Sequence, residues 1–272
     1  MKKILALALV VLTCAVCFSM VSCSKQNEEA SSDITEESKE PETMTLKVGT
    51  YNIHNGSDVK WDFSLIAQDI LDKDLDVVGI QEVDQYCRRS QRTNTLAELK
   101  QYTGMQYGYF FKCIDYEGGT YGIAIISKYP IISTEEVELN DGTEVERRVL
   151  AHAVIDVNGK EINFFNTHLT IASDEIRANE FQIVKDKVKD YENCILVGDF
   201  NVDAYEEWEI LKPLSYINNP ETNLITHPVG DRKIDNICYS SEFTLVEDAF
   251  GIYQQNHSDH VLVYAEFVTS AE

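Results

Sequence analysis

Apolar residues recur along this chain in two periods, and the changes from one to the other mark out its elements. Leu46, Val48 and Thr50 alternate as a strand does. Asp62 is placed to cap a helix in which Leu65, Ile66, Ile70 and Leu71 recur on one face. Residues 76–81 read as a short buried strand and 95–101 as a helix. Strands are predicted over 107–113, 121–127, 131–139, 149–157 and 161–167. Ser173 is the predicted cap of a long helix reaching about residue 191, with Ile176, Ile183, Val184 and Val188 turned inward. A strand at 194–199, a helix near 205–211 and strands at 234–239, 243–248 and 261–267 complete the series. Many strands with a few helices between them suit two sheets packed face to face, with the helices outside.

The run at 4–21 follows neither period. It is continuously apolar, begins behind Lys2 and Lys3, and ends at Val21, Ser22 and Cys23. This resembles a bacterial lipoprotein signal with Cys23 as the lipid-modified N-terminus, although Met20 stands where leucine is usual. An uncleaved anchor or an ordinary signal peptide is the alternative. Residues 24–43 hold seven acids and two lysines without apolar periodicity, the composition of a solvated tether. The expected organisation is therefore a signal peptide at 1–22, a lipidated cysteine and acidic tether at 23–43, and one domain at 44–272. Export and lipid anchoring to the bacterial membrane or cell surface follow.

Formal net charge is −23 over 272 residues, and about −20 of it falls on the domain. Such a field repels polyanions at long range and argues against a broad basic groove for nucleic acid. Cys87, Cys113, Cys194 and Cys238 are scattered singly, so no paired spacing suggests a zinc or redox site. Cys194 and Cys238 sit beside apolar strand residues and read as buried thiols; a disulfide among the four has no assignable partners.

The chemistry is concentrated where predicted strands end. The run ILVGDFN at 195–201 delivers Asp199 and Asn201 two positions apart, on one side of an extended backbone. A carboxylate beside a carboxamide suits a hard cation or a phosphate held next to one. TYNIH at 50–54, QEVD at 81–84, NTH at 166–168, KIDN at 233–236 and SDH at 258–260 punctuate the chain in the same way. Taken in chain order, the six stretches resemble the endonuclease/exonuclease/phosphatase superfamily of metal-dependent phosphohydrolases, which includes deoxyribonuclease I, exonuclease III and bacterial sphingomyelinases. The resemblance covers roughly residues 46–267. It implies an α/β fold, a four-layer α/β/β/α sandwich of two mixed sheets with outer helices.

The resemblance also implies roles. Glu82 and Asn52 would hold Mg²⁺, which Mn²⁺ can replace, with Asp199, Asn201 and Asp259 within reach of the same cation. Asp199 would orient or deprotonate the attacking water, and Asn201 would hold a phosphate oxygen or the metal. His260 is the expected proton-transfer residue, because imidazole titrates near neutral pH, with Asp235 fixing its tautomer. His168 would contact the phosphate, either stabilising developing charge or protonating the leaving group. His54, His152, His227 and His257 match no motif and read as structural. Among the arginines, Arg148 and Arg89 are candidates for gripping a phosphate, while Arg147, Arg88 and Arg92 read as solvated charge. Tyr121 and Tyr109 read as core packing near the cleft.

The functional expectation is an exported Mg²⁺-dependent phosphoesterase acting on phosphodiester or phosphomonoester bonds. A small or lipid-linked substrate ranks ahead of nucleic acid on charge, with an extracellular nuclease as the alternative. A surface lipoprotein that binds a ligand without catalysis has no need of Glu82, Asp199, Asn201, His168, Asp235 and His260 together. The expected partners are the phosphoester substrate and the membrane reached through the anchor; the chain is expected to act as a monomer.

Overall fold

The computed structural model describes residues 42–271. The proposed signal peptide, Cys23 and all but the last residues of the tether lie outside the described residues. Twelve strands build two six-stranded mixed sheets. The first sheet has the order β11 (Thr244–Tyr253), β12 (Leu262–Ser270), β1 (Thr43–Asn52), β2 (Val77–Gln85), β4 (Gly119–Ser127), β3 (Tyr107–Tyr116). The second runs β5 (Ile131–Glu138), β6 (Val149–Val157), β7 (Lys160–His168), β8 (Cys194–Asp199), β10 (Asp235–Tyr239), β9 (Ser215–Tyr216). Among the described residues only β1–β2 and β7–β8 are parallel pairs.

Alternation along the strands divides the core. Leu46, Val48, Ile123, Ile125 and Phe267 of the first sheet face Ala151, Ile155, Phe164, Ile195 and Val197 of the second. The opposite faces are covered by helices. Helices α1 (Phe63–Asp72) and α2 (Thr95–Thr103) bury Ile66, Ile70 and Leu99 on Val78, Ile80 and Ile126. On the other side α3 (Asp174–Val188) and a 3-10 helix at Tyr205–Leu211 bring Phe181, Val184 and Trp208 onto Phe165 and Leu196. Four layers result, as the resemblance implied. Among the described residues no helix is long and apolar enough to cross a membrane.

Helix caps were legible and helix faces less so. Asp62 and Ser173 accept from Ser64 and Ile176 as N-caps. The inward stripe of α1, however, is Phe63, Ile66, Ala67 and Ile70, and Leu65 and Leu71 are exposed. The spacing 63, 66, 67, 70 keeps one side of a 3.6-residue period, whereas 65 and 71 fall off it. In α3, Ile183 is likewise exposed, Ile176 is only half-buried, and the buried set is Glu180, Phe181, Val184 and Val188. The four cysteines at 87, 113, 194 and 238 are buried and free.

The topology gathers chemistry at one end of the sandwich. Parallel β1 and β2 run to Asn52 and Glu82, parallel β7 and β8 run to His168 and Asp199, and antiparallel β10 and β12 start there. A buried strut fixes the sheet spacing beneath. Asn166 donates to the carbonyls of Ile80 (3.1 Å) and Ala124 (2.9 Å) and accepts from Gln81 (2.7 Å), which also donates to Thr50 (2.9 Å). A Cβ on Gly79 would stand 2.4 Å from Val197 and 2.9 Å from Asn166, so the close approach requires glycine.

His152 has the structural role read for it. Its ring stacks on Phe165 at 4.2 Å, and Nε2 pairs with Asn163 at 3.0 Å. Burial lowers its pKa, outweighing the support of Asn163 and Glu135. A depressed folded pKa means the unfolded chain binds the proton first, so stability is present above about pH 6.5 and falls below it. Denaturant unfolding at pH 7.5 and 5.5 should therefore show the wild type losing more stability than His152→Gln, by about 1 kcal/mol at most.

Candidate active site

The oxygen Oδ2 of Asp199 is the hub of the site. Asn52 Nδ2 donates to it at 3.0 Å, and His168 Nε2 and His260 Nε2 stand 3.5 and 3.6 Å away. The other carboxylate oxygen accepts the Asn201 backbone N–H at 3.0 Å. Asn52 Nδ2 also donates to Glu82 Oε1 at 3.3 Å, so one carboxamide links acids from the two sheets. Glu82 sits where the β2–β4 register shifts, with φ of 59°, an irregularity of the kind that re-aims a side chain at a strand end. Asn201 is also left-handed, at φ 52°, and its Nδ2 donates to the Leu169 carbonyl at 2.9 Å. It reaches Asp199 through a turn; the strand alternation assumed from sequence stops at Asp199.

Two histidines flank this hub in different states. His260 Nδ1 pairs with Asp235 Oδ2 at 2.9 Å. Burial alone would lower its pKa, but Asp235, Asp199 and Asp259 outweigh that and raise it. His168 is fully enclosed; burial, then Arg148, then His260 push its pKa well down. Arg148 Nη1 lies 3.1 Å from His168 Nδ1, so that nitrogen accepts and the proton sits on Nε2, facing Asp199. Burial and Asp235 raise the pKa of Asp199 against the pull of His260 and Asn52.

The structure thus brings together Asn52, Glu82, His168, Asp199, Asn201, Asp235 and His260, with Asp259 at the rim and Arg148 behind His168. Arg148 is buried, pairs with Glu146 at 3.0 Å, and has an unpartnered buried Nε. Arg89 is committed elsewhere: two of its nitrogens hold the buried Asp84 at 2.9 Å each, and its guanidinium lies 4.5 Å over Tyr116. Arg147 pairs with Glu136 and Glu138. Tyr121 is buried close enough to Glu82 and Arg148 to feel both charges, while Tyr109 is exposed.

Two histidines read as structural border the site. His54 lies 2.7 Å from Asp58 and 3.6 Å from Asp259; His227 lies 3.8 Å from Asp259 and packs edge-on to His260 at 4.7 Å. His54 stands two residues from Asn52, a signal that was available. His227 belongs to a loop with no motif of its own.

A cation suits this donor set. Glu82 and Asp199 offer carboxylate oxygens, the ligands of hard divalent ions, while Asn52 turns Nδ2 to both and its Oδ1 accepts the His54 backbone N–H at 3.1 Å. Asp199 is buried beside Asp235, and burial with that second acid raises its pKa, a setting in which a divalent cation would be favoured. Among the described residues three overlapping groups, His227–Asp259–His260, His54–Asp58–Asp259 and Asp199–Asp235–His260, each have ligand atoms within 4.8 Å of one another; Glu82 belongs to none of them.

Acids, a carboxamide and two imidazoles at the open end of a two-sheet sandwich define a metal-dependent hydrolase class. Residues 49–260 match the model of the Endonuclease/Exonuclease/phosphatase family, and the chain belongs to that family, whose members are metal-dependent phosphoesterases and nucleases. An endonuclease/exonuclease/phosphatase from Beutenbergia cavernae superposes with a TM-score of 0.69 at 21% identity, over 83% of this chain and 72% of that one. A family protein from Bacteroides thetaiotaomicron gives 0.67 at 21%, over 85% and 97%. A mannosyl-6-phosphatase from the same species gives 0.63 at 20%, over 82% and 99%. At these identities the likeness is one of fold. The curated proteins contain no match.

Proposed function

We propose that the chain is an exported, lipid-anchored, Mg²⁺-dependent phosphoesterase acting on a small or lipid-linked phosphoester, with Mn²⁺ able to substitute. The observation that carries this is the convergence on Asp199 Oδ2 of Asn52 (3.0 Å), His168 (3.5 Å) and His260 (3.6 Å), with Asp235 behind His260. A ligand-binding protein has no need of a carboxylate held between two imidazoles, one of them backed by a second buried acid.

Glu82 would hold the cation, with Asp199 and Asp259 alongside and Asn52 bridging Glu82 and Asp199 through Nδ2. Bound there, it supplies charge neutralisation at the phosphoryl oxygens. His168, neutral with its proton on Nε2, donates a hydrogen bond to the phosphoryl group. Arg148 keeps that tautomer in place by occupying Nδ1. Asp199 orients the attacking water, whose proton passes to the Asp199–His260–Asp235 group; the P–O bond to the alcohol breaks, and the leaving oxygen takes a proton from that group or from water. Asn201 holds the Asp199 carboxylate from its backbone N–H, and its own amide is fixed on the Leu169 carbonyl.

The strongly negative domain disfavours a polyanionic track, and one fold relative is a phosphatase of a phosphorylated sugar. The test is a screen of EDTA-stripped protein, with and without added Mg²⁺, against sugar phosphates, phospholipid headgroup esters, RNA and DNA. Mg²⁺-dependent release of phosphate or alcohol from a small ester is expected. Turnover confined to nucleic acid would move the assignment to nuclease, and no turnover of any class would contradict it. For the anchor, Cys23→Ala should shift the protein from the detergent phase to the aqueous phase, or block processing. Unchanged partitioning and unchanged mature mass would contradict lipidation.

A further inference from the structure

Asp69 is a carboxylate that neither the hydrolytic chemistry nor its own helix calls for. Helix α1 turns Phe63, Ile66, Ala67 and Ile70 onto the first sheet, and Asp69 is buried with them at 1% exposure. An apolar side chain would serve packing there, since a buried acid must be stripped of water. Burial does raise its pKa, against the pull of its partners Tyr51 and His257.

Those two partners are what make the position informative. Tyr51 Oη donates to Asp69 Oδ2 at 2.9 Å, and His257 Nδ1 lies 3.0 and 3.1 Å from the two carboxylate oxygens. Tyr51 immediately precedes Asn52 on β1. His257 opens the loop Ser258, Asp259, His260 that feeds β12. Ser258 Oγ then donates to the Asn52 carbonyl at 2.8 Å, so the two arms close on each other beside Asn52. Burial and Asp69 keep the Tyr51 hydroxyl protonated, leaving it a donor. A carboxylate offers acceptors on both oxygens and so takes a phenol O–H and an imidazole N–H at once, whereas an amide keeps one such oxygen and puts an NH₂ donor in place of the other.

We propose that Asp69 is a positioning residue that, through Tyr51 and His257, holds the strand end carrying Asn52 and the loop carrying Asp259 and His260 at their working separation. This rests on the hydrolase reading above. Asp69 touches neither the cleft nor a substrate. It acts on the site through one residue on each side, as partners of metal and proton-transfer ligands do elsewhere.

The experiment compares wild type, Asp69→Asn, His257→Gln and the double variant as full-length protein. Mn²⁺ affinity is read by electron paramagnetic resonance, kcat and KM on bis(4-nitrophenyl) phosphate and 4-nitrophenyl phosphate, and thermal unfolding in parallel. Each single change should weaken Mn²⁺ binding or kcat by about ten- to a hundredfold with KM little changed. The double variant should be no worse than the poorer single one, because both cut the same link. The unfolding temperature is expected to fall as well, because removing one partner of a buried pair leaves the other uncompensated, so the positioning role is read from Mn²⁺ affinity and kcat in the folded variants. Should Asp69→Asn fail to fold, His257→Gln reads the same link from its partly exposed end. Unchanged Mn²⁺ affinity and kcat in the folded variants, with only the unfolding temperature lowered, would make Asp69 a structural acid and overturn the proposal. Wild-type protein that binds no Mn²⁺ would contradict the hydrolase reading first, before any variant is compared, and the clamp with it.

Discussion

Glu82→Gln is expected to lower turnover by about 10²–10³-fold and to raise the Mg²⁺ concentration needed for half-maximal activity, without unfolding the protein. Glutamine keeps the shape and can still meet Asn52, which approaches Glu82 Oε1 at a long 3.3 Å. What is lost is one negative charge from an acidic set that otherwise holds Asp199 and Asp259. A divalent ion held by fewer anionic oxygens binds more weakly. The left-handed backbone at residue 82, φ 59°, is the same strain for either side chain, so no new folding penalty arises. Mg²⁺ titrations of turnover and circular dichroism check both halves. A variant with wild-type metal demand would remove Glu82 from the cation site.

Asp235→Asn is expected to be more damaging, costing about two to four decades in turnover. Asp235 is buried and meets His260 Nδ1 at 2.9 Å, and its second oxygen has no partner. That single contact holds the ring with Nε2 turned toward Asp199 and stabilises the imidazolium. Asparagine retains the outline but drops the charge, so the raised pKa of His260 should fall. The shift can be read by NMR titration of the ring, and activity by the same assay. Because the pair works as a unit, Asp235→Asn combined with His260→Ala should be little worse than His260→Ala alone. Multiplicative loss would mean that the two act independently.

Much of this site was legible because it lies at strand ends, where an apolar run stops and a polar triplet begins. Asn52, Glu82, His168, Asp199, Asp235 and His260 all carry that local signal, and the parallel pairs β1–β2 and β7–β8 aim four of them the same way. What was not legible depends on contacts without local pattern. Asp69 and His257 meet across 188 residues, and nothing near either announces the other. The Arg148–His168 contact is set by the β6–β7 pairing, which composition and periodicity do not reveal. Arg89 carried the same arginine signal as Arg148 but folds back five residues onto Asp84. The misjudged faces of α1 and α3 have a different cause. Leu65, Leu71 and Ile183 are apolar enough to count in a pattern, yet a few exposed apolar residues on a helix are ordinary.

The central claim is that Asn52, Glu82 and Asp199 bound a cation site served by the His260–Asp235 pair. Anomalous diffraction from crystals soaked in Mn²⁺ tests it most directly. The expected result is one strong peak in the cleft between the Asn52, Glu82 and Asp199 side chains, absent from crystals of Glu82→Gln soaked at the same concentration. A peak confined to surface carboxylates, or one in the cleft that persists undiminished without the Glu82 charge, would contradict it.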